Sequence, residues 1–167
     1  LMTRMLQSYV QGAWWEPAES VAGVEVLDAS TGEPVARVSS EGLDLAAALD
    51  YARTVGQQSL GALTFHQRAV LLKQLALALT ERKEELYELS YRTGATKTDS
   101  WVDIDGGIGV LFTYSGKGRR ELPNARVQLD GPLEVLSKDG SFLGRHIRTT
   151  LPGVAVQINA FNFPVWG

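Results

Sequence analysis

Cysteine is absent from the 167 residues, so they hold no disulfide, no thiolate metal site and no cysteine nucleophile. Histidine is nearly absent too. His66 and His146 are far apart with no metal-ligand spacing around either, which leaves zinc and Ser-His-Asp chemistry little to stand on. No stretch reaches the roughly twenty apolar residues a membrane span needs. The opening Leu1-Met2-Thr3-Arg4-Met5 also lacks the apolar run of a signal peptide. Basic residues number 16 against 19 acidic ones, a net charge of -3, without the positive excess of a nucleic-acid binder. Together these absences predict a soluble, cytoplasmic protein with no resident metal, no nucleic-acid partner and no membrane association. The 44% of hydrophobic residues suffice for a core, since a domain of this size buries about 70% of its unfolded surface.

One further absence is local. No charged residue occurs from Thr149 to Gly167, and the sequence closes on Phe163-Pro164-Val165-Trp166-Gly167. Natural C-termini are usually polar and exposed, so this pattern predicts a chain cut inside a larger fold.

Residues 7–40 read as short strands joined by turns, with Val24–Leu27 and Val35–Val38 flanking the turn formers Asp28-Ala29-Ser30-Thr31-Gly32. An antiparallel hairpin is the simplest arrangement. Leu45, Leu49, Ala52 and Val55 recur at helical spacing and predict an amphipathic helix from about Leu43 to Gln58. Thr64-Phe65-His66-Gln67 has the capping-box form, and Leu71, Leu72, Leu75, Leu79, Leu86 and Leu89 extend one apolar face until Gly94 stops it. The charged run Glu81–Glu85 reads as a solvated face. Ser100-Trp101-Val102-Asp103 looks like the capped start of a third helix carrying Ile104, Ile108, Leu111 and Phe112. Gly106, Gly107 and Gly109 lie inside it, where each glycine costs on the order of 1 kcal/mol relative to alanine. Three of them imply close approach of another backbone, or a later helix start. Asp139-Gly140 between partly alternating runs signals a hairpin. Val154–Ile158 then reads as a short apolar strand entering Asn159-Ala160-Phe161-Asn162.

The glycine-rich stretches fail as nucleotide fingerprints. Phe112 stands where Gly107-Ile108-Gly109 would need its third glycine, and Gly116-Lys117-Gly118 lacks the serine or threonine of a P-loop. Capping and solvation account for Asp99, Asp103 and Asp105, a surface or cap position for His66, and core or interface packing for Trp14, Trp15 and Trp101. The terminal strand-to-loop unit is different, because an α/β sheet presents ligand-binding polar groups at the carboxyl ends of its strands. Asn162 lies there between two aromatics, just before a residue that Pro164 holds extended. Its carboxamide either bonds local backbone or faces a ligand.

Leu151-Pro152-Gly153-Val154-Ala155-Val156-Gln157-Ile158-Asn159-Ala160-Phe161-Asn162-Phe163-Pro164 resembles the aldehyde dehydrogenase segment Pro-x-Gly-Val-x-x-x-Ile-x-Pro-Trp-Asn-Phe-Pro, with Ala160 and Phe161 in place of Pro and Trp. Gly12-Ala13-Trp14, Thr31-Gly32-Glu33, Arg68 and Thr93-Gly94 fall in that family's order. Ser39–Asp44, Thr93–Thr96, Asp99–Ile104 and Gly106–Gly109 are similar to a branch serving phenylacetate degradation. In that branch the dehydrogenase is fused to a MaoC-like enoyl-CoA hydratase acting as an oxepin-CoA hydrolase. A sister branch, the 3,4-dehydroadipyl-CoA semialdehyde dehydrogenases of benzoyl-CoA breakdown, shares several of these runs.

The resemblance implies an α/β fold, the N-terminal part of an aldehyde dehydrogenase. Residues 1–124 would form the N-terminal hairpin and first helices of the cofactor-binding domain. Residues 125–150 would be an oligomerisation-arm hairpin, and residues 151–167 the first Rossmann strand with its oxyanion loop. Asn162 matches the oxyanion-hole asparagine, while Ile158, Asn159, Ala160 and Phe161 match backbone lining the nicotinamide. The implied cofactor is NADP rather than NAD. The implied substrate is a CoA-linked aldehyde, 3-oxo-5,6-dehydrosuberyl-CoA semialdehyde in the phenylacetate branch, and the implied assembly is a homo-oligomer through the 125–150 hairpin. Family chemistry needs a cysteine nucleophile and a glutamate base that these residues lack, so the chain alone is expected to be inactive. A reading of another class is a non-catalytic assembly module whose hairpins pair with a partner's sheet.

Overall fold

The computed structural model describes residues 3–167. Two small hairpins come first. β1 (Ser8–Val10) pairs antiparallel with β2 (Ala13–Trp15), and the turn between them has positive φ at both Gln11 (53°) and Gly12 (80°), the geometry that matches the twist of a two-residue hairpin. β3 (Val24–Leu27) pairs antiparallel with β4 (Pro34–Val38). A bridge between Met5 and Arg37 runs the N-terminal segment alongside β4. Residues 7–40 thus hold two hairpins where one was the simplest expectation.

The expected helix near residues 43–58 is a helical stretch of three parts. α1 (Leu45–Tyr51) is capped by Asp44, whose carboxylate accepts from the Ala47 amide at 2.9 Å, and a π-helical turn over Ala52–Gly56 joins it to α2 (Gln57–Gly61). α3 (Phe65–Glu81) begins at the capping box read from the sequence, with Thr64 accepting from the Gln67 amide and Gln67 accepting in return from the Thr64 amide. The leucine face does not run on in one helix. The chain leaves helical geometry at Arg82 (φ -104°, ψ 16°) and restarts as α4 (Lys83–Tyr91). The break lets Leu79 and Leu86 pack on the same core from two helices.

α5 (Lys97–Arg120) is capped four residues before the expected Ser100. Thr96 is its cap, and Asp99 closes the box by accepting from the Thr96 amide. Ser100 is fully buried inside the helix, where its hydroxyl accepts from Ser90 of α4 at 2.9 Å. Ala76 of α3 and Ile104 and Ile108 of α5 form the core, flanked by Leu79, Leu86, Tyr87, Leu111 and Val165. α5 is therefore the central helix, with α3 and α4 laid along it.

β5 (Gln128–Val135) and β6 (Leu143–Arg148) make a third antiparallel hairpin, irregular between Asp130 and Glu134 where Gly131 takes a positive φ. Its turn is organised by Asp139, which accepts from the hydroxyls of Ser137 and Ser141, each at 2.7 Å, and from the Ser141 amide. Those hydrogen bonds hold the Asp139 carboxyl down at about 2. Beyond β6, Val154–Ile158 forms no strand. Strand geometry needs a neighbouring ladder, and no described strand lies beside it. Trp14 and Trp101 are also exposed rather than in the core, Trp14 stacking edge-on against Tyr9.

Candidate functional site

The site is a strap, residues 151–167, laid over the helices and tied at both ends. At its start the Gly153 amide donates to the Gln57 side chain of α2 at 2.9 Å. Near its end the amides of Val165 and Trp166 donate to Asp103 of α5, Trp166 at 2.7 Å and Val165 at 3.1 and 3.2 Å to the two carboxylate oxygens. Between these ties Val156, Ile158 and Phe161 are exposed. The Phe163 amide donates to the Ala160 carbonyl at 3.1 Å and turns the chain at Asn162.

Asp103 is 1% exposed, and neither capping nor solvation explains it. A carboxylate so placed costs several kcal/mol unless it is hydrogen-bonded. Its partners are the two strap amides, and hydrogen bonds to a charged group are each worth about 1.5–3 kcal/mol. The glycines beside it have the purpose their pattern implied. Residues 103, 106 and 107 share one helix face. A Cβ on Gly107 would lie 2.9 Å from the Trp166 Cα, and one on Gly106 would run into the Trp166 ring. Gly109 faces open space. Bare backbone at residues 106 and 107 is what admits the strap, and Val165 adds its side chain to the core.

Asp105, one residue beyond the core-facing Ile104, does different work. It accepts from Lys83 and, at 2.6 Å, from the Tyr87 hydroxyl, so it braces α4 against α5. Burial pushes the Asp105 carboxyl up, but the hydrogen bonds from Lys83 and Tyr87 and the lysine charge outweigh it and leave the group below its ordinary value. The Tyr87 phenol is raised to about 12, first by its hydrogen bond to Asp105, then by burial and that carboxylate's charge. A phenol raised in the folded state stabilises the fold fully below its unfolded value near 10, and that contribution is lost as pH rises through about 12. Tyr87→Phe is therefore expected to flatten the fall in urea midpoint between these two values. A variant whose alkaline profile parallels the parent's would contradict the assignment.

The five residues singled out on the terminal loop stay together. Ile158 is 92% and Phe161 90% exposed, and Asn159, Ala160 and Asn162 are exposed beside them. Among the described residues the Asn162 carboxamide has no hydrogen-bond partner, so the alternative of local backbone bonding does not hold. Asn162 and Phe163 border a cleft of about 290 Å³ with Thr93, Gly94 and Ala95, which lead into α5, and Asp99 in its first turn. His66 stands apart, its Nε2 lying 2.9 Å from the Leu122 carbonyl. What sequence reasoning missed is Asp103, and the signal for it was Asp-x-x-Gly-Gly on one helix face.

Residues 14–166 match the aldehyde dehydrogenase family. The chain belongs to that family. It is also 42% identical over 163 residues to a 3,4-dehydroadipyl-CoA semialdehyde dehydrogenase of Aromatoleum evansii, a match covering 97% of this chain and 31% of that relative. The chain thus spans about a third of the length of the aldehyde dehydrogenase it matches. The family match runs through the strap to residue 166, including Asn162 and the Asp103 ties.

Proposed function

We propose that this chain is the first part of a nicotinamide-dependent dehydrogenase that oxidises a CoA-linked semialdehyde to its acid, with Asn162 as the oxyanion donor. The observation that carries the reading is the state of Asn162: an exposed carboxamide, without a partner among the described residues, on a loop whose far side is clamped to the central helix. The carboxamide N–H donates to the aldehyde oxygen as a thiolate attacks the carbonyl carbon and negative charge gathers on that oxygen. A donor held in place stabilises the alkoxide without reorganising at the moment of reaction, and the ties of Val165 and Trp166 to Asp103 hold the backbone that carries this one. The thiolate and the glutamate that activates water come from residues other than these 167, and the chain alone is expected to turn over no aldehyde. Support for a longer working fold comes from its surface. The chain exposes 12445 Å², where a compact protein of 18.2 kDa exposes about 8,100 Å².

The loop at residues 158–161 fits the nicotinamide end of a cofactor, for its backbone is unpaired in any ladder and its apolar side chains are uncovered. A bound nicotinamide supplies the hydride acceptor there. Ile158, Asn159, Ala160 and Phe161 are the residues that would hold it, through loop backbone that lies in no helix or strand. NADP rather than NAD is the assigned cofactor, on the likeness of the motif runs to the CoA-semialdehyde branches. The β5–β6 hairpin, with Leu129, Leu133, Val135 and Ile147 exposed, is assigned to homo-oligomer contacts. A monomeric sedimentation coefficient for the whole enzyme would contradict that assignment.

The substrate has two readings. The motif runs favour 3-oxo-5,6-dehydrosuberyl-CoA semialdehyde and an accompanying oxepin-CoA hydrolase, the phenylacetate chemistry. The 42% identical relative carries the name of the shorter 3,4-dehydroadipyl-CoA semialdehyde. Measuring kcat/KM of the full-length enzyme for both thioesters, with NADP and with NAD, tests the proposal. Reduced cofactor formed faster from a CoA-linked semialdehyde than from the same aldehyde without CoA supports it. No reduced cofactor from either thioester would overturn it.

A further inference from the structure

Asp103 stands on the far side of α5 from solvent, is 1% exposed, and spends its carboxylate on the amides of Val165 and Trp166. Those amides follow Asn162 by three and four residues, and Pro164 stiffens the link between them. The path from carboxylate to carboxamide is therefore short and has few soft torsions. We infer that Asp103 is a positioning residue for Asn162, fixing through the strap amides where the backbone of the oxyanion donor lies; the inference rests on the function proposed above.

Three observations bear on it independently. Gly106 and Gly107 open the helix surface beside Asp103, so the strap backbone seats directly on α5. Val165 drives its side chain into the core beside Ile104 and Ile108, which fixes the depth of the strap while Asp103 fixes its register. Asn162 itself is exposed and has no partner among the described residues, so what the fold fixes is the backbone that carries it, and the strap ties set where that backbone lies. A donor placed about 1 Å off loses on the order of 100-fold in rate, so the anchor beneath it controls turnover without touching substrate.

The test is a double-mutant cycle on the full-length enzyme, with rates normalised to titrated active sites. Asp103→Ala removes both acceptor oxygens and is expected to lower kcat on the order of 10- to 100-fold, with KM for aldehyde and cofactor changed less than about 3-fold. Asp103→Asn keeps one carbonyl oxygen at the position that Trp166 now uses, and should recover most of the loss. In an Asn162→Ala background Asp103→Ala should cost less than about 2-fold further, because the group it positions is already gone. A structural role alone would lower the titratable fraction and leave kcat per titrated site near the parent's, and an equal per-site loss in both backgrounds would mean no coupling to Asn162; either result would overturn the inference. If Asp103→Ala does not fold, Gly107→Ala takes its place. Alanine favours the helix but pushes the Trp166 backbone, and the same loss of effect in the Asn162→Ala background is expected. Asn162→Ala at the parent rate would instead overturn the oxyanion assignment and, with it, the role of Asp103.

Discussion

Asn162→Ala in the full-length enzyme should lower kcat by about 100-fold or more, with little change in cofactor binding. Removing one preorganised oxyanion donor typically costs about 3–4 kcal/mol of barrier. The loss should be nearly all in kcat, because the carboxamide meets full charge only when the carbonyl oxygen becomes an alkoxide. Stability should hardly change, since the side chain is exposed and has no described partner to lose. Pre-steady-state rates of cofactor reduction would check this. An Asn162→Ala enzyme with the parent's rate would remove the assigned role, whatever the rest of the strap does.

Ile104→Ala should produce the largest loss of stability. Ile104 is fully buried at the centre of the contact between α3, α4 and α5, with Ala76 and Ile108 as core partners. Truncating a buried isoleucine to alanine costs roughly 2–5 kcal/mol, from lost burial plus the cavity left behind. Two small neighbours make collapse harder: Ala76 cannot reach into the space, and Gly107 one turn along has no side chain to offer. The upper half of that range is expected here, read as a drop in urea midpoint. Glu84→Ala, on the exposed face of α4, is the control and should stay within about 0.5 kcal/mol. Equal midpoints for the two variants would contradict the placement of the core.

Much of this was legible from local sequence chemistry. The Thr64–Gln67 capping box and the Asp139-Gly140 turn are self-contained within a few residues, and both form as read. The glycines of α5 carried a long-range message that the sequence could state only in general form. Their cost to a helix implied a close neighbour, but only the fold shows Trp166 against Gly106 and Gly107. The start of α5 was misplaced because Ser100 and Thr96 both look like caps. Asp99 favours the earlier one, since it can close a box on Thr96.

The break at Arg82 and the buried task of Asp103 were not legible, for a shared reason. Helical periodicity describes one helix against an unspecified core, so it cannot say that Leu86 must turn back toward Leu79. Nor can it say that a charge at position 103 meets two amides some sixty residues away. The apolar run 154–158 shows the converse. Its composition is that of a buried strand, yet it lies in no strand and is exposed, because strand identity belongs to a ladder and not to a segment.

The central claim is that residues 158–162 form the reacting end of a nicotinamide site. Hydrogen exchange at the amides of Asn159 to Asn162 in the full-length enzyme, with and without NADP, tests it most directly. These amides lie in no helix or strand, so in the free enzyme they should exchange fast. Saturating NADP is predicted to slow them by at least about 10-fold, as expected for backbone drawn into a bound complex. NADP binding that protects other segments and leaves these amides at their free rate would contradict the account.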